Sequence, residues 1–477
     1  MTVVLAIDQG TSGTKAIVAD GSGEALTIAE AELRPRYGDG GVVEQDPRQL
    51  LESVLDTGRR AVAAAGRPID VVALANQGET VLAWDPATGT PLSEAIVWQD
   101  RRAESVCAGL TEHADRIAAR TGLVLDSYFS APKMAWLRRN VTTEGVVTTV
   151  DTWLLHHLTG EFVTDAATAS RSLLTDIDTA EWAPDLADLF GLGDERLPRI
   201  VASDEIIGTT RAFGGEIPVA GLIVDQQAAL LAEGCIDAGA AKCTFGTGAF
   251  LLANTGTTAV RSTAGLTSSV AWRAAGGTPY CVDGQVYTAA SAIRWIRDLG
   301  FIRSAGDLDT VAAKESDGTL CVPALAGLAA PWWRPDATAT FTGMTLSTRP
   351  EHLVLAVLQG IAAQVATLCE LVERDLGAPL TRLRADGGLT RSRTLMQAQA
   401  DLAQIPVDIY PSAHATPLGA AALARLAMNP GMTLREAVGE WKPAAVYEPR
   451  WSAERAEQFR GTWTAVAEAT VRKGDLT

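Results

Sequence analysis

A short polar loop near the N-terminus contains the residue types that bind phosphate. It reads DQGTSGTK from Asp8 to Lys15 and follows the apolar residues 3–7. Small residues in such a loop let backbone N–H groups approach phosphate oxygens closely, and hydroxyl groups add further donors. Asp8 at a strand end can hold Mg²⁺ through water, and Lys15 can neutralise phosphate charge. The other interpretation is a β-hairpin with a polar turn, in which Asp8 bonds only local amides.

A second loop of the same kind occurs at residues 244–248, with the sequence TFGTG. By itself this segment favours a plain hairpin turn. Together with the first loop it indicates two loops that close on one nucleotide. The residues of the two loops that we predict to bind phosphate are Gly10, Thr11, Ser12, Lys15, Gly246, Thr247 and Gly248.

Two more acidic residues, Asp225 and Asp386, follow apolar runs. Asp225 comes after residues 222–224 and, with Gln226, opens a helix, so Asp225 could accept a proton from a substrate hydroxyl. Asp225 also fits a helix N-cap, and the two roles are compatible. In the sequence DGG, Gly387 and Gly388 would let a planar base or a ribose lie against the backbone. That motif alone favours a strand-to-helix turn capped by Asp386.

These residues lie at the turns of an alternating pattern of strands and helices. Apolar runs at residues 3–7 and 71–74 predict strands, and Asp46-Pro47 opens an amphipathic helix. Interleaved elements of this kind indicate an α/β fold. Because the strand, glycine turn and strand recur from residue 241, we expect two related domains with a boundary near Gly234. Their direct packing would create a cleft for ligands.

The composition excludes several classes of partner. Lys and Arg number 40 against 57 Asp and Glu, so the formal charge of the 477 residues is −17. That charge disfavours nucleic acid and membrane surfaces as partners. We expect no signal peptide, and we expect residues 353–369 to form a buried helix rather than a membrane span. The six scattered cysteines give no disulfide framework and no zinc site. We therefore expect a cytoplasmic protein, and a homodimer stays open.

The motifs together resemble those of the FGGY carbohydrate kinases, and most of all those of members that phosphorylate glycerol. One family signature can be traced at residues 128–137, and another runs from residue 339 to residue 359. The shorter motifs that support the resemblance are DQGTSGTK, IVWQDRR, DTWLL, VDQQAAL, FGTGAF, DGG and TPLGAA. The similarity extends from about residue 4 to residue 423, which is nearly the whole chain.

The resemblance implies two ribonuclease H-like (actin-like ATPase) domains with a cleft between them. Residues 1–233 would bind a polyol and carry the first phosphate loop, and residues 234–477 would bind the nucleotide. The implied reaction transfers the γ-phosphate of ATP, with Mg²⁺, to a terminal hydroxyl of glycerol or a close polyol. Asp225 would be the general base and Asp8 the magnesium-associated acid. The resemblance places the polyol pocket at Glu79, Trp98, Tyr128, Asp225, Gln226 and Phe250, and it places nucleotide contacts at Thr11, Thr247 and Gly388.

Several residues depart from the family pattern. Gly78 stands where the glycerol-phosphorylating members carry an arginine that binds polyol hydroxyls. Losing a guanidinium removes hydrogen bonds of roughly 1.5–3 kcal/mol each and leaves space for erythritol, threitol or a pentitol. Alternatively, another basic side chain reaches in and restores a glycerol site. Lys15 replaces an arginine, and Arg294 and Ser392 replace a glutamine and an asparagine that contact nucleotide. A kinase for a longer polyol, a non-catalytic sensor of polyol and nucleotide, and an actin-type ATPase therefore stay open.

Overall fold

Each half of the chain begins with an apolar strand that turns back on itself at a glycine-rich loop. In the computed structural model, which describes residues 2–474, each of these hairpins lies at the centre of a large β-sheet. The predicted α/β class is confirmed.

The first half contains the following elements in chain order. Its strands are β1 (Val4–Gln9), β2 (Gly13–Ala19), β3 (Ala25–Glu32), β4 (Arg36–Tyr37), β5 (Val43–Gln45), β6 (Val71–Asn76), β7 (Val81–Trp84), β8 (Ala95–Ile96), β9 (Val146–Thr149), β10 (Val163–Asp165), β11 (Thr175–Asp176), β12 (Glu181–Trp182), β13 (Arg199–Val201), β14 (Gly208–Thr210) and β15 (Ile217–Val224). Its helices are α1 (Pro47–Ala65), α2 (Glu104–Ala108), α3 (Ala114–Thr121), α4 (Ser130–Asn140), α5 (Val150–Thr159), α6 (Ala166–Ser170), α7 (Pro184–Phe190) and α8 (Asp225–Ala232).

The second half continues the numbering. Its strands are β16 (Ala241–Phe245), β17 (Ala249–Gly256), β18 (Thr267–Val270), β19 (Tyr280–Val286), β20 (Leu320–Val322), β21 (Thr340–Thr342), β22 (Leu383–Asp386), β23 (Val407–Ile409) and β24 (Ala445–Tyr447). Its helices are α9 (Ala290–Asp298), α10 (Leu308–Val311), α11 (Pro350–Leu376), α12 (Arg393–Ala403), α13 (Ala415–Met428), α14 (Leu434–Val438) and α15 (Ala453–Gly474). Short 3₁₀ helices occupy Asp39–Gly41, Thr111–His113, Ala305–Asp307 and Gly388–Arg391.

The two large sheets repeat one strand arrangement. Within residues 2–474 the first sheet has the order β14-β15-β6-β1-β2-β3, and the second has the order β24-β23-β22-β16-β17-β19-β18. In both, the opening hairpin is antiparallel, and its first strand pairs in parallel with a strand from much later in that half. The outermost strands β14 and β24 are each antiparallel to their neighbour. The two halves therefore have related topologies, as the recurring motif predicts.

The parallel strands of the first sheet end at the same edge. In the register of β1 with β6, Asp8 lies opposite Ala75, and in that of β15 with β6, Val224 lies opposite Asn76. The residues that follow these strands are therefore brought together although they are up to about two hundred positions apart. Such carboxyl edges are where open α/β sheets bind ligands.

Two helices confirm predictions from the sequence. The side chain of Asp46 caps α1 by accepting a hydrogen bond from Arg48 N at 2.8 Å, and Pro47 is the first helical residue. The apolar helix α11 is long enough to cross a membrane, but 83% of its most apolar segment is buried inside the protein. It packs against α12 and β20 in the core of the second half.

Helix α13 joins the two halves. Although it comes late in the chain, it packs against α8 and against β15, β6 and β1 of the first sheet. The contact with α8 is so close that a Cβ atom on Gly419 would lie 1.9 Å from the carbonyl oxygen of Ala228. Only glycine permits this approach, so the helix pair is fixed by a backbone contact.

We predict that Gly419→Ala destabilises the protein by about 1–3 kcal/mol, because the added methyl group forces α13 away from α8. The change would be measured as a fall in the midpoint of thermal and urea unfolding. Gly461→Ala is the matched control, since a Cβ at that exposed position of α15 meets open space. The control should gain up to about 1 kcal/mol from helix propensity. Equal effects of the two substitutions would contradict the packing argument.

Candidate active site

A cavity of about 280 Å³ lies between the two halves at the edge where the parallel strands end. Among the predicted site residues, those that line it are Thr11, Ser12, Gly78, Glu79, Trp98, Tyr128, Asp225, Gln226, Gly246, Thr247, Phe250 and Arg294. Asp8, Gly10, Lys15, Gly248, Gly387, Gly388 and Ser392 are not on the wall of this cavity. The fold thus brings the predicted polyol residues together with parts of both glycine loops.

Asp225 is one of the two acids that line this cavity. It is the first residue of α8, and burial together with the negative charges of Asp8 and Glu79 raises its pKa to about 7. The positive charge of Lys242 opposes the rise. A carboxylate whose pKa lies near neutrality is suited to accept a proton from a hydroxyl group at neutral pH.

The interpretation of Asp225 and Asp386 as helix N-caps is wrong. The N-cap position of α8 is Val224, and no side chain caps that helix. After Asp386, the chain passes through Gly387 into the 3₁₀ helix Gly388–Arg391, which also has no side-chain cap. Both carboxyl groups are consequently free of a capping role. A sequence pattern of strand, acid and helix cannot distinguish the N-cap position from the first helical residue.

Asp8 is the penultimate residue of β1 and lies beside the first glycine loop. Burial raises its pKa to about 6, against the effect of Lys15, which pairs with it across the β1–β2 hairpin. Its side chain forms no hydrogen bond to any of residues 2–474, so its oxygens remain available. The same described residues contain no group of three or more acidic, histidine or cysteine side chains able to hold a metal ion. A Mg²⁺ ion beside Asp8 would therefore take most of its ligands from phosphate oxygens and water, which fits this cation.

The first loop is held by a network of hydrogen bonds. The indole Nε1 of Trp98 donates to Thr11 Oγ1 at 2.9 Å, and Thr11 Oγ1 donates to Gln77 Oε1 at 2.9 Å. Gln45 Nε2 donates to the carbonyl oxygen of Thr11 at 2.8 Å. These bonds connect Trp98 to the first loop through Thr11.

Three aromatic rings form the apolar wall of the cavity. Trp98 packs edge-to-face with Tyr128 and with Phe250, at centroid distances of 5.5 and 6.0 Å. Such walls leave the polar groups of Glu79, Asp225 and Gln226 to contact hydroxyl groups.

A smaller inner pocket of about 30 Å³ adjoins the cavity and contains residues that the sequence analysis missed. Arg171 and Asp283 line it together with Glu79, Tyr128 and Asp225. Arg171 Nε donates to Glu79 Oε1 and its Nη1 donates to Asp283 Oδ1, both at 2.7 Å. Burial raises the pKa of Glu79, and the guanidinium opposes that rise. A lone arginine among the small and apolar residues of ATASRSLL was the available signal.

Lys242 is another residue that the sequence analysis missed. It is fully buried in β16, and its Nζ donates to Gln226 Oε1 and to Thr244 Oγ1, each at 2.7 Å. It therefore ties a predicted polyol residue to the start of the second loop. A lysine inside an apolar strand, AAKCTF, is the sequence feature that could have revealed it.

The second loop packs closely against the backbone of β19 and against the turn after β22. A Cβ on Gly248 would lie 2.5 Å from Val286 O, and a Cβ on Gly387 would lie 2.5 Å from Phe245 O. Gly387 also has a φ of 93°, a conformation that favours glycine. The carbonyl oxygen of Thr247 accepts the backbone N–H of Ala289 at 2.9 Å. Small residues in these loops are thus needed for packing as well as for the approach of a ligand.

Three predicted nucleotide residues are placed as follows. Lys15 lies 3.2 Å from Glu30, so part of its charge is compensated. Ser392 is buried, caps α12 and donates to Asp309 Oδ1 at 2.9 Å. Arg294, on α9, is exposed and lines the cavity. Of the two charged residues among these three, Arg294 forms no ion pair within the part of the chain that the structure describes, whereas Lys15 faces Glu30.

Comparisons with known proteins place the chain among carbohydrate kinases. The profile of the FGGY family of carbohydrate kinases, N-terminal domain, matches residues 3–232, and that of the C-terminal domain matches residues 241–428. The glycerol kinase of Aromatoleum aromaticum is 40% identical over 98% of each chain, and that of Bordetella parapertussis is 41% identical over 98% of this chain and 96% of the relative. The crystal structure of Plasmodium falciparum glycerol kinase with ADP is 31% identical, covers 98% of each chain and has a TM-score of 0.90. A ligand-bound xylulose kinase from Lactobacillus acidophilus shares the fold, with a TM-score of 0.89 at 19% identity.

The raised pKa of Asp225 predicts a stability cost above neutral pH. In the unfolded chain the carboxyl group ionises near pH 3.8, whereas in the folded protein it ionises near 7. Between these values the folded protein keeps a proton that the unfolded chain loses, so stability falls as the pH rises through this window. We expect Asp225→Asn to be more stable than the wild type at pH 8, by up to about 4 kcal/mol. The difference should vanish near pH 4, and a constant difference across this range would contradict the assignment.

Proposed function

The chain belongs to the FGGY family of carbohydrate kinases and is an ATP-dependent phosphotransferase, and we propose that it phosphorylates a terminal hydroxyl group of glycerol or a close polyol. The observation that carries this proposal is the position of Asp225 in the wall of a polar and aromatic cavity, with a pKa near neutrality. Its similarity to glycerol kinases along the whole chain supports the same substrate class.

In the proposed reaction, the terminal hydroxyl group gives its proton to a carboxylate oxygen of Asp225. The hydroxyl oxygen forms a bond to the γ-phosphorus of ATP as the bond from that phosphorus to the β,γ-bridging oxygen breaks. ADP leaves with the electron pair of the broken bond, and the polyol phosphate remains. Asp225 returns the proton to solvent after product release. General-base help of this kind contributes roughly 10²–10⁴-fold to turnover.

The two loops would bind the nucleotide on the side of the cavity away from the inner pocket. Backbone N–H groups near Gly10 and Thr11, together with those near Thr247, would contact phosphate oxygens. Arg294 and Lys15 would add positive charge, and Gly388 borders open space that suits the ribose or base. Mg²⁺ beside Asp8 would neutralise charge on the phosphates. Closure of the two halves would exclude water, which otherwise competes as acceptor.

The space around Gly78 bears on whether the substrate is glycerol or a longer polyol. The space left by the absence of a side chain is partly filled, because a Cβ on Gly78 would lie 2.9 Å from Val224 Cγ2. Val224 also lines the inner pocket. Because the side chain of Val224 fills part of this space, the pocket favours glycerol or a polyol of similar size. A kinase for erythritol, threitol or a pentitol is the alternative, which the measurement of substrate preference tests.

The first test is turnover of the wild type and of Asp225→Asn with ATP and a panel of polyols. The panel contains glycerol, erythritol, threitol, ribitol and xylitol, and ADP release is measured. We expect the highest kcat/KM on glycerol and a loss of about 10²–10⁴-fold in kcat for the variant, with ATP binding retained. Asp151→Asn is the matched control, since Asp151 is a buried acid of raised pKa on α5, outside the cavity. ADP release that no polyol stimulates would contradict the proposed function.

The pH dependence should follow the ionisation of Asp225. Because the base must be deprotonated, kcat/KM is expected to rise with pH and to level off above about 7. Asp8→Asn removes a neighbouring negative charge, so it should move the midpoint of the acid limb to lower pH whatever it does to the maximal rate. An unchanged midpoint in that variant would exclude electrostatic coupling between the two acids.

Val224 and Gly78 should be coupled in a double-mutant cycle. Gly78→Ala is expected to lower activity on glycerol and stability, because its methyl group meets Val224 Cγ2. Val224→Ala should relieve this effect, so the double variant should lose less than the two single losses combined, by 0.5 kcal/mol or more. Additive losses would indicate that the two side chains do not share one space.

A further inference from the structure

Arg171 brings a guanidinium into the site from an element that carries none of the predicted polyol residues. It follows the last residue of α6 and is only 4% exposed. Its Nε and Nη1 donate to Glu79 and Asp283, whose side chains are as deeply buried. Glu79 comes from the turn after β6 and Asp283 from β19 of the second sheet. The arginine therefore connects the two halves at the inner pocket.

The guanidinium still has hydrogen-bonding capacity to offer a ligand. An arginine side chain carries five N–H groups, and the two bonds to carboxylates use two of them. The other three make no hydrogen bond to any side chain or carbonyl group of residues 2–474. The group lies over the rings of Tyr128 and Phe129, at 5.8 and 5.3 Å from their centroids, which restricts its orientation. A buried guanidinium with free donors on the wall of a pocket indicates a ligand acceptor.

The charges around the inner pocket define the chemistry of that ligand. Glu79 and Asp283 accept hydrogen bonds, whereas Arg171 donates them, and all three lie within one small pocket. A hydroxyl group can donate to a carboxylate and accept from a guanidinium at the same time. An anionic group would meet Glu79, Asp283 and Asp225 against one guanidinium, so the charge of the pocket disfavours it. The pocket of about 30 Å³ accommodates the end of a small neutral polyol.

We propose that Arg171 is a specificity-determining residue that binds the polyol hydroxyl group farthest from the one that is phosphorylated. It thereby supplies the guanidinium that the chain lacks at position 78. Asp225 borders both the inner pocket and the larger cavity, so a three-carbon chain can hold one end against Arg171 and present the other to Asp225. This inference rests on the proposed polyol kinase function and identifies how its substrate is recognised.

The experiment combines loss of the side chain with loss of the hydroxyl group. Glycerol and 1,2-propanediol differ by one terminal hydroxyl group, and both keep another that can be phosphorylated. We expect the wild type to prefer glycerol by about 10- to 100-fold in kcat/KM, the effect of one charge-assisted hydrogen bond. In Arg171→Met this preference should fall to about threefold or less, because the variant has no donor for the distal hydroxyl group. A KM increase for glycerol without one for ATP should accompany it.

Two further variants separate an effect on substrate recognition from a loss of folding. Arg171→Met leaves Glu79 and Asp283 buried without a cation, so Arg171→Lys is measured beside it. Lysine keeps the positive charge between the carboxylates but loses the planar fork, so the preference for glycerol should also fall. Arg138→Met is the matched control, since Arg138 makes two hydrogen bonds to Glu195 outside the cavity, at 2.7 and 2.8 Å. It should lower the midpoint of unfolding and leave the preference unchanged.

The outcomes separate this inference from the function on which it rests. An unchanged preference for glycerol in folded Arg171→Met or Arg171→Lys would assign Arg171 a purely structural role and overturn the inference, while polyol phosphorylation by the wild type would still support the proposed function. If no polyol stimulates ADP release by the wild type, both are overturned. A preference lost in both arginine variants and kept in Arg138→Met is the expected result.

Discussion

The crowding of carboxyl groups where the two halves meet is the constraint on which the rest of the structure depends. Asp8, Asp225, Glu79 and Asp283 all lie in or beside one cleft, and buried carboxylates are stable only when they are paired or protonated. Arg171 pairs with two of the four. Asp8 and Asp225 form no ion pair with an arginine among the described residues, and burial raises the pKa of both, as it does for Glu79. The pair that is left without a guanidinium is therefore the pair available to hold a cation and to move a proton.

The duplicated sheet explains why these groups converge. Each half places the ends of parallel strands beside the turn of its opening hairpin, and the two such edges face each other across the cavity. The two glycine turns that we predict to bind phosphate then come from different halves, and the acids come from the ends of strands. Lys242, Arg171 and the helix α13 fasten this arrangement across the interface. Residues beside the cavity, such as Lys242 and Arg171, consequently also hold the two halves together.

The sequence predicted the elements and the motifs better than the side-chain partners. The two glycine hairpins, the helix after Asp46 and the buried helix α11 follow from patterns within about twenty residues. The roles of Asp225 and Asp386 at their helices were wrong where a cap was expected, because a one-residue shift separates a cap from a first helical residue. Arg171 and Asp283 are 112 positions apart and come from different halves of the chain, so no local pattern joins them. Ion pairs of this separation depend on how the halves dock, which periodicity does not contain.

Position 78 shows why a missing motif residue is weak evidence when it is considered alone. The absence of an arginine there removes a charge from the loop after β6, but binding requires a guanidinium in the pocket rather than at a particular position in the chain. Arg171, the residue after α6, satisfies that requirement, and Val224 occupies the space beside Gly78. The charge and the volume of the pocket are thus both restored by residues outside the motif. A polyol site of this family is better described by the groups that meet in space, since the fold allows several strands and helices to supply each of them.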